Sequence, residues 1–515
     1  MPVDQPYRLD KPDDDASWHT VLERYGGAVD REELLAYLET PGEVDPQSAV
    51  RLEGLIPLYR ALDVARRGGA TCIVTEYRYV DLDFRSEYAA FWASRFADHP
   101  AFAQRLHFFK HPLNEEDLHR VDPDGCGYLG YIILRPVRQG LVGRTLLAPP
   151  PDLREREPRL VDVSDDISFF GTDLRIVGAP FSQQDGEYLR CAHASVWMCH
   201  YIAYRKRLAG RVATADLVNL SPPEPLGLRA LPSAGLHLAQ MQAVFSATGL
   251  PALLYELGHL PNVLGVDQPP EAALEEPSKP YGAWDHRVVS VACRYLNSGF
   301  PVLVTTRNHA FVLVGYYFRC DGGVTFVASD DQLGPYVEID NPLEDRLHEE
   351  WWELMVPLPP KVYLTGESAE NDAVESILNI HKDPDATDHL RKLHEDYAAD
   401  DLAIRTFLQR GRDYKANLSR QNRDDEVVRE LRMARMSHWV WIVEVHDHAT
   451  SDHDKHVRAE FVYDSTSYDL QPARLAVSFP DVTTVIPPDE GPRRYANTGD
   501  RTAWRSQLWS LPDGA

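Results

Sequence analysis

The sequence has little of what anchors a secreted or membrane-bound chain. Six cysteines are scattered over 515 residues, at Cys72, Cys126, Cys191, Cys199, Cys293 and Cys320, and no two form a CxxC pair. That argues against a disulfide scaffold and against a four-cysteine zinc site. No apolar run approaches the length that spans a bilayer. The N-terminal stretch MPVDQPYRLDKPDDDASW is acidic and lacks the apolar core of a secretory signal. Together these features point to a reducing cytoplasm, where a free thiolate survives. Positive charge is scarce as well: 53 Lys and Arg stand against 79 Asp and Glu, a net charge of −26. A field of that sign repels phosphate backbones and anionic lipid, so neither nucleic acid nor a membrane is the expected partner.

What is present is an ordinary globular composition, 43% hydrophobic and 26% charged, which rules out a wholly disordered or fibrous chain. The length suggests about three domains. Residues 1–150 read as an N-terminal α/β lobe behind an acidic arm. Asp30 and Glu33 have capping-box spacing, SEYAAFWASRF is a helix, and GYLGYIILRPV is a buried strand. Three prolines, Pro149 to Pro151, mark a boundary. In residues 151–360, three apolar helices come first: CAHASVWMCHYIAYRKRLAG, GLHLAQMQAVFSATGL and DHRVVSVACRYLNSG, each closed by glycine. The strands PVLVTT, HAFVLVGYYF and GVTFVAS follow, the last two joined by the turn RCDGG. Helices followed by antiparallel strands predict an α+β domain. Residues 361–515 begin with acidic helical sequence from Ser368 to Arg435 and end in strands, HWVWIVEV and AEFVYD among them. This part reads as an α+β recognition or regulatory lobe, because no cysteine nucleophile occurs after Cys320.

Cys191 stands where the loop FSQQDGEYLR meets an apolar helix. Unpaired N–H groups at a helix start favour a thiolate and can stabilise an oxyanion. Cysteine is also among the most buried residue types, so position alone is weak evidence. His309 strengthens the case, because it opens a core strand against which such a helix could pack. The imidazole would act as base and then as acid. A third group must orient it, and Asp330 and Asp331 lie one strand and one turn later; Asp330 comes directly off the strand.

Other candidates carry less. Cys199 and Cys293 lie within apolar helices and read as core. His193 and His200 do not share a helical face with Cys191 and Cys199, so no zinc site is expected there. His446, His448, His453 and His456 read as a solvated polar loop. Trp439 and Trp441 read as sheet packing. No metal or cofactor is expected.

In order, Cys191 at a helix start, GFPVLVTT, HAFVLVGYY and SDDQLGPY resemble the papain-like cysteine peptidases, and most closely the bacterial double-glycine leader peptidases. The resemblance covers about residues 175–345. It implies a papain-like core between two lobes, with a thiolate at Cys191, a base at His309 and an orienting Asp330 or Asp331. The family's oxyanion glutamine stands six positions before the cysteine. Here that position is Asp185, and a one-residue insertion would let Gln184 serve. Ala192 follows the cysteine where the family commonly has Gly or Trp. The implied function is an intracellular thiol protease acting on a protein or peptide, with a regulatory partner protein as a further candidate. A transglutaminase or deamidase, or an inactive papain-like scaffold, remains open as an alternative.

Overall fold

The structure, a computed structural model, describes residues 6–27, 33–34, 37, 51–137, 140–222, 235–256, 282–306, 308–319, 323–340, 351–384, 386–399, 402–421, 423–447, 456–488, 491–497 and 504–505. The fold is α+β with antiparallel sheets. It divides into two compact units, residues 1–259 with 299–358, and residues 260–298 with 359–515.

In the first unit, one sheet is built from β1 (Tyr7–Asp10), β2 (Cys72–Tyr79), β3 (Ala103–Phe109), β4 (Tyr128–Leu134) and β5 (Val142–Leu147). A short β6 (Arg159–Leu160) and the hairpin β7 (Val163–Phe169) and β8 (Thr172–Gly178) follow, and β9 (Pro180–Phe181) completes the sheet beside β5. Its pairs are antiparallel, so the α/β lobe expected for residues 1–150 is an antiparallel α+β layer instead. The second sheet contains β10 (Ala252–Glu256), β11 (Val302–Thr306), β12 (Ala310–Phe318), β13 (Val324–Asp330), β14 (Gly334–Ile339) and β15 (Trp351–Pro357). Its order is β10-β15-β11-β12-β13-β14, with β6 paired to β12. β4 and β12 are buried along almost their whole length, which explains why YLGYIIL and AFVLVGYY read as unbroken apolar runs rather than alternating ones.

Six helices of this unit matter here: α1 (Asp15–Gly26), α2 (Ile56–Arg67), α3 (Leu82–Ala90), α4 (Cys191–Arg205), α5 (Thr214–Leu220) and α6 (Leu238–Ala247). α4 is buried continuously from Ala192 to Ala203, as expected of a helix apolar on every side. It is fixed from two directions. Ser195 Oγ donates to the Ala310 carbonyl at 2.9 Å, locking α4 to the start of β12. Elsewhere on the helix, Trp197 Nε1 donates to Asp83 Oδ1 at 3.2 Å, and the Tyr201 hydroxyl donates to Asp165 Oδ2 at 2.8 Å. Asp165 also accepts from Tyr131 at 2.8 Å and pairs with Arg205 at 3.1 Å. Buried carboxylates are stable only with such partners. The N-terminal sheet is therefore part of the frame that holds α4. Pro149 to Pro151, read as a boundary, lead into a short helical turn within this same unit.

The second unit's sheet runs β16 (Leu402–Arg410), β17 (Trp439–Asp447), β18 (His456–Asp464), β19 (Arg474–Ser478), β20 (Val482–Val485) and β21 (Arg493–Ala496), with β22 (Trp504–Arg505) against β18. Its helices are α7 (Gly282–Asn297), α8 (Gly366–Leu378), α9 (Asp388–Ala398), α10 (Gly411–Asn417) and α11 (Asp425–Met433). One face of the sheet packs Phe407, Val440 and Ile442 against Tyr414, Leu418, Val427 and Leu431. Towards the other face, Trp441 meets Tyr295 edge-on and donates to the Leu364 carbonyl at 2.8 Å. Arg294 of α7 pairs with Glu367 at 2.6 Å and Glu370 at 3.0 Å of α8. The sequence places α7 with residues 151–360, whereas the structure groups it with the C-terminal sheet. β16 lies inside the stretch read as helical. His446 is not in a solvated loop but buried on β17, 3.2 Å from Glu444, and His456 is the first residue of β18. His448 and His453 lie outside the described residues, as do Asp30 and Cys320.

Candidate active site

Cys191 is the first residue of α4, half-buried, after Arg190 in extended conformation. The loop before it is built by a buried carboxylate. Asp185 Oδ1 accepts the backbone N–H groups of Glu187, Tyr188 and Leu189 at 2.8, 2.7 and 3.0 Å. Burial still pushes the Asp185 carboxyl up. His193 closes the first turn by accepting the Arg190 N–H at 3.4 Å, and burial holds its imidazole down to about 4, so it stays neutral.

His309 sits in the β11–β12 hairpin, directly before β12. The hairpin is closed by Thr306, whose N–H donates to the His309 carbonyl at 2.8 Å and whose hydroxyl accepts the His309 N–H at 3.2 Å. The ring stacks on Phe311. Its Nε2 lies 3.0 Å from Asp330 Oδ2. Asp330 Oδ1 accepts the N–H groups of Gln332 and Leu333 at 2.9 and 3.1 Å, which fixes the carboxylate on its own turn. Burial disfavours the imidazolium, but the Asp330 charge and hydrogen bond, then Cys191 and Asp331, outweigh it and raise the His309 pKa well above its ordinary value. Burial would likewise raise the Asp330 carboxyl, yet His309 and the two turn N–H groups hold it below the usual range. The Cys191 side chain is near enough to favour the charged ring, while Nδ1 has no hydrogen bond of good geometry.

Asp331 differs from its neighbour. Its side chain is fully buried, Oδ1 is 3.8 Å from His309 Nε2, and neither oxygen has a hydrogen-bond partner. Burial pushes this carboxyl up to about 7. Gln184 is half-buried in the loop between β9 and α4. Gln183, by contrast, is buried and committed: it accepts the Val142 N–H at 3.1 Å and donates to the Gly54 carbonyl at 2.9 Å. Cys199 is buried, and burial raises the thiols of Cys199 and Cys293. His200 is buried with neither ring nitrogen partnered, and burial takes it down to about 4.

Arg60 is a residue the sequence did not single out. Its stem crosses the β13–β14 turn so closely that a Cβ on Gly334, at φ +125°, would lie 2.9 Å from the Arg60 Cβ. Burial lowers the Arg60 pKa, and the nearby Asp330 charge opposes that. An arginine in IPLYRALDVARR gives no sign of this in sequence. His309, Asp330 and Asp331 each offer one ligand atom within 4.8 Å of the others, the one such cluster among the described residues. The His309 imidazole lies against both carboxyls and the Arg60 charge is near Asp330, which offsets part of the negative field a cation would need.

Gly140, at φ +71°, fixes the loop from behind. A Cβ there would fall 2.3 Å from the Gln184 carbonyl oxygen and 2.5 Å from the Asp185 Cα. Gly140→Ala is expected to destabilise the fold by about 2–4 kcal/mol, combining left-handed strain with overpacking. Urea unfolding measures this; a loss under about 0.5 kcal/mol, typical of a neutral surface site, would show the loop does not need the glycine.

Comparison of the chain with models of protein families, with curated proteins and with solved structures finds no match to any of them.

Proposed function

We propose that this protein is a papain-like thiol hydrolase that cleaves peptide bonds. The observation that carries the proposal is the His309 ring, held through Nε2 by Asp330 at 3.0 Å, with Nδ1 making no hydrogen bond and the Cys191 side chain at the start of α4 near enough to favour the charged ring. An imidazolium beside a sulfur favours the thiolate, the nucleophilic form. Cys191 Sγ would attack the carbonyl carbon, forming a C–S bond and an oxyanion stabilised by helix-start N–H groups, with Gln184 as a further donor. The C–N bond then breaks as His309 gives its proton to the leaving amine. In the second half, His309 takes a proton from water, hydroxide attacks the thioester, and the C–S bond breaks to release the acid and regenerate Cys191. Asp330 would orient the ring throughout. No helix among the described residues is long and apolar enough to cross a membrane.

Limiting iodoacetamide near neutral pH, followed by peptide mapping, tests the assignment. Cys191 is expected to be modified first, ahead of the buried Cys72, Cys126 and Cys199. His309→Gln should slow that reaction roughly tenfold or more by removing the imidazolium. Earlier labelling of another cysteine, or an unchanged rate in the His309 variant, would overturn it.

A further inference from the structure

The DD pair in SDDQLGPY supplies one carboxylate more than the triad uses. Asp330 has both oxygens committed, one to the ring and one to the turn. Asp331 is as deeply buried but has no hydrogen bond at either oxygen. A buried acid without a well-formed hydrogen bond is costly unless its position serves something. Two neighbours define that position. The His309 ring lies on one side, with Nε2 at 3.8 Å from Oδ1. The backbone N–H groups of Asp331 itself and of Gln184 are near enough to favour the charged carboxyl, though neither makes a hydrogen bond of good geometry.

The Gln184 main chain is held by its surroundings. Gln183 is clamped to Val142 and Gly54, and its carbonyl accepts from Arg135 Nη2 at 2.6 Å. Asp185 caps the following turn. Gly140 lets the backbone approach from behind. Asp331 is thus near both the His309 ring, at 3.8 Å, and the main chain of the loop before Cys191.

We propose that Asp331 is a positioning residue that joins the His309 ring to the Gln184 main chain, while taking no part in the proton transfer itself. It walls off the Nε2 side of the ring, so that Asp330 remains the ring's only hydrogen-bonded carboxylate. Its charge state also sets how tightly the ring keeps its proton. The charged and titratable groups around it are His309 before β12, Asp330 on β13, Cys191 on α4 across the ring, and Arg60 on α2, whose charge faces Asp330. A carboxyl that stays protonated to about pH 7 leaves His309 balanced by Asp330 alone. Above that pH, a second negative charge tightens the ring's hold on its proton and makes it a poorer general acid.

The consequence for turnover rests on the proposed hydrolase reading, but the contact does not. The experiment therefore uses the full-length chain in a Cys191→Ala background, with histidine labelled with carbon-13 at Cε1. The His309 signal is assigned by its loss in His309→Gln. With Asp331 present, the ring should titrate with an extra inflection near neutral pH. Asp331→Asn keeps the shape and removes the charge. It should abolish that inflection and lower the ring's proton affinity at alkaline pH by roughly tenfold. Asp331→Ala should broaden or split the His309 signal through loss of seating, and the Asp331→Asn variant should keep a single signal. Identical titration curves for the parent and for Asp331→Asn would overturn the proposal. So would an Asp331→Ala variant whose ring signal matches the parent. Failure of Cys191 to react with iodoacetamide would count against the hydrolase alone and leave these readouts intact.

Discussion

Cys191→Ala is expected to remove peptide hydrolysis by about four orders of magnitude or more while leaving the fold unchanged, as loss of a covalent nucleophile does. The fold should survive because Cys191 begins α4 rather than lying in its packed interior, and the substitution deletes one atom from a half-buried side chain. Alanine also favours the helix. Circular dichroism and urea unfolding check the fold, and turnover of a fluorogenic peptide library checks the activity. Retained hydrolysis in a folded variant would place the chemistry elsewhere. Transfer of the peptide acyl group to an added amine in preference to water would move the reading to an acyl transferase with the same nucleophile.

Asp330→Asn should reduce turnover by about a thousandfold or more, because an amide in place of the carboxylate no longer fixes the imidazole tautomer or supports its charge. Asp331→Asn should cost far less, since Asp330 is the carboxylate within hydrogen-bonding distance of Nε2, 3.0 Å against 3.8 Å. The reverse ranking would transfer the orienting role to Asp331. The pair also makes stability depend on pH. His309 binds its proton more tightly in the folded chain than at its ordinary value of 6.5. Its contribution is therefore full below about pH 6.5 and is lost as pH rises through the folded value. The Asp330 carboxyl is held below its ordinary 3.8, so its contribution is present above that value and lost as pH falls through the folded one. Asp330→Asn should flatten both limbs of a plot of unfolding free energy against pH. Limbs unchanged in the variant would show the pair is not coupled as described.

Local sequence makes parts of the fold legible. Three apolar helices and the strands PVLVTT, HAFVLVGYYF and GVTFVAS are present as α4, α6, α7, β11, β12 and β13, although α4 ends at Arg205, before Gly210, which the sequence reads as its end. β16 is hidden in sequence because LAIRTFLQR lies within acidic, alanine-rich sequence whose neighbours on both sides are helices. Much of the N-terminal sheet is hidden for a related reason. CIVTEYRY and AQRLHFF each mix apolar with charged residues, and part of that charge is paired within the sheet while Arg78 is exposed: Glu76 pairs with Arg105 at 2.5 Å and with His107 at 3.0 Å. His446 looks like part of a histidine-rich loop in sequence, yet its strand carries it into the interior beside Glu444.

By itself, the sequence determined the chemistry that is available: a cysteine at the start of an apolar helix, a histidine at the start of a core strand, and two adjacent acids in the turn that follows. Those depend on periodicity, capping and turn residues, all local properties of the chain. Only the tertiary structure decided between the two acids. Asp330 and Asp331 are identical in composition and adjacent in position, and the β13–β14 turn gives one of them to the ring and buries the other unpartnered. Tertiary structure also decided which unit each helix joins. Arg294 of α7 needs the carboxylates of Glu367 and Glu370, more than 70 residues away, and such a pairing leaves no local trace. The same holds for α4, whose place rests on Asp83 and Asp165 from the N-terminal part of the chain and on a single hydroxyl bond to Ala310. Contacts distant in sequence are set by the energy of the assembled whole, and the pattern of any one segment does not contain them.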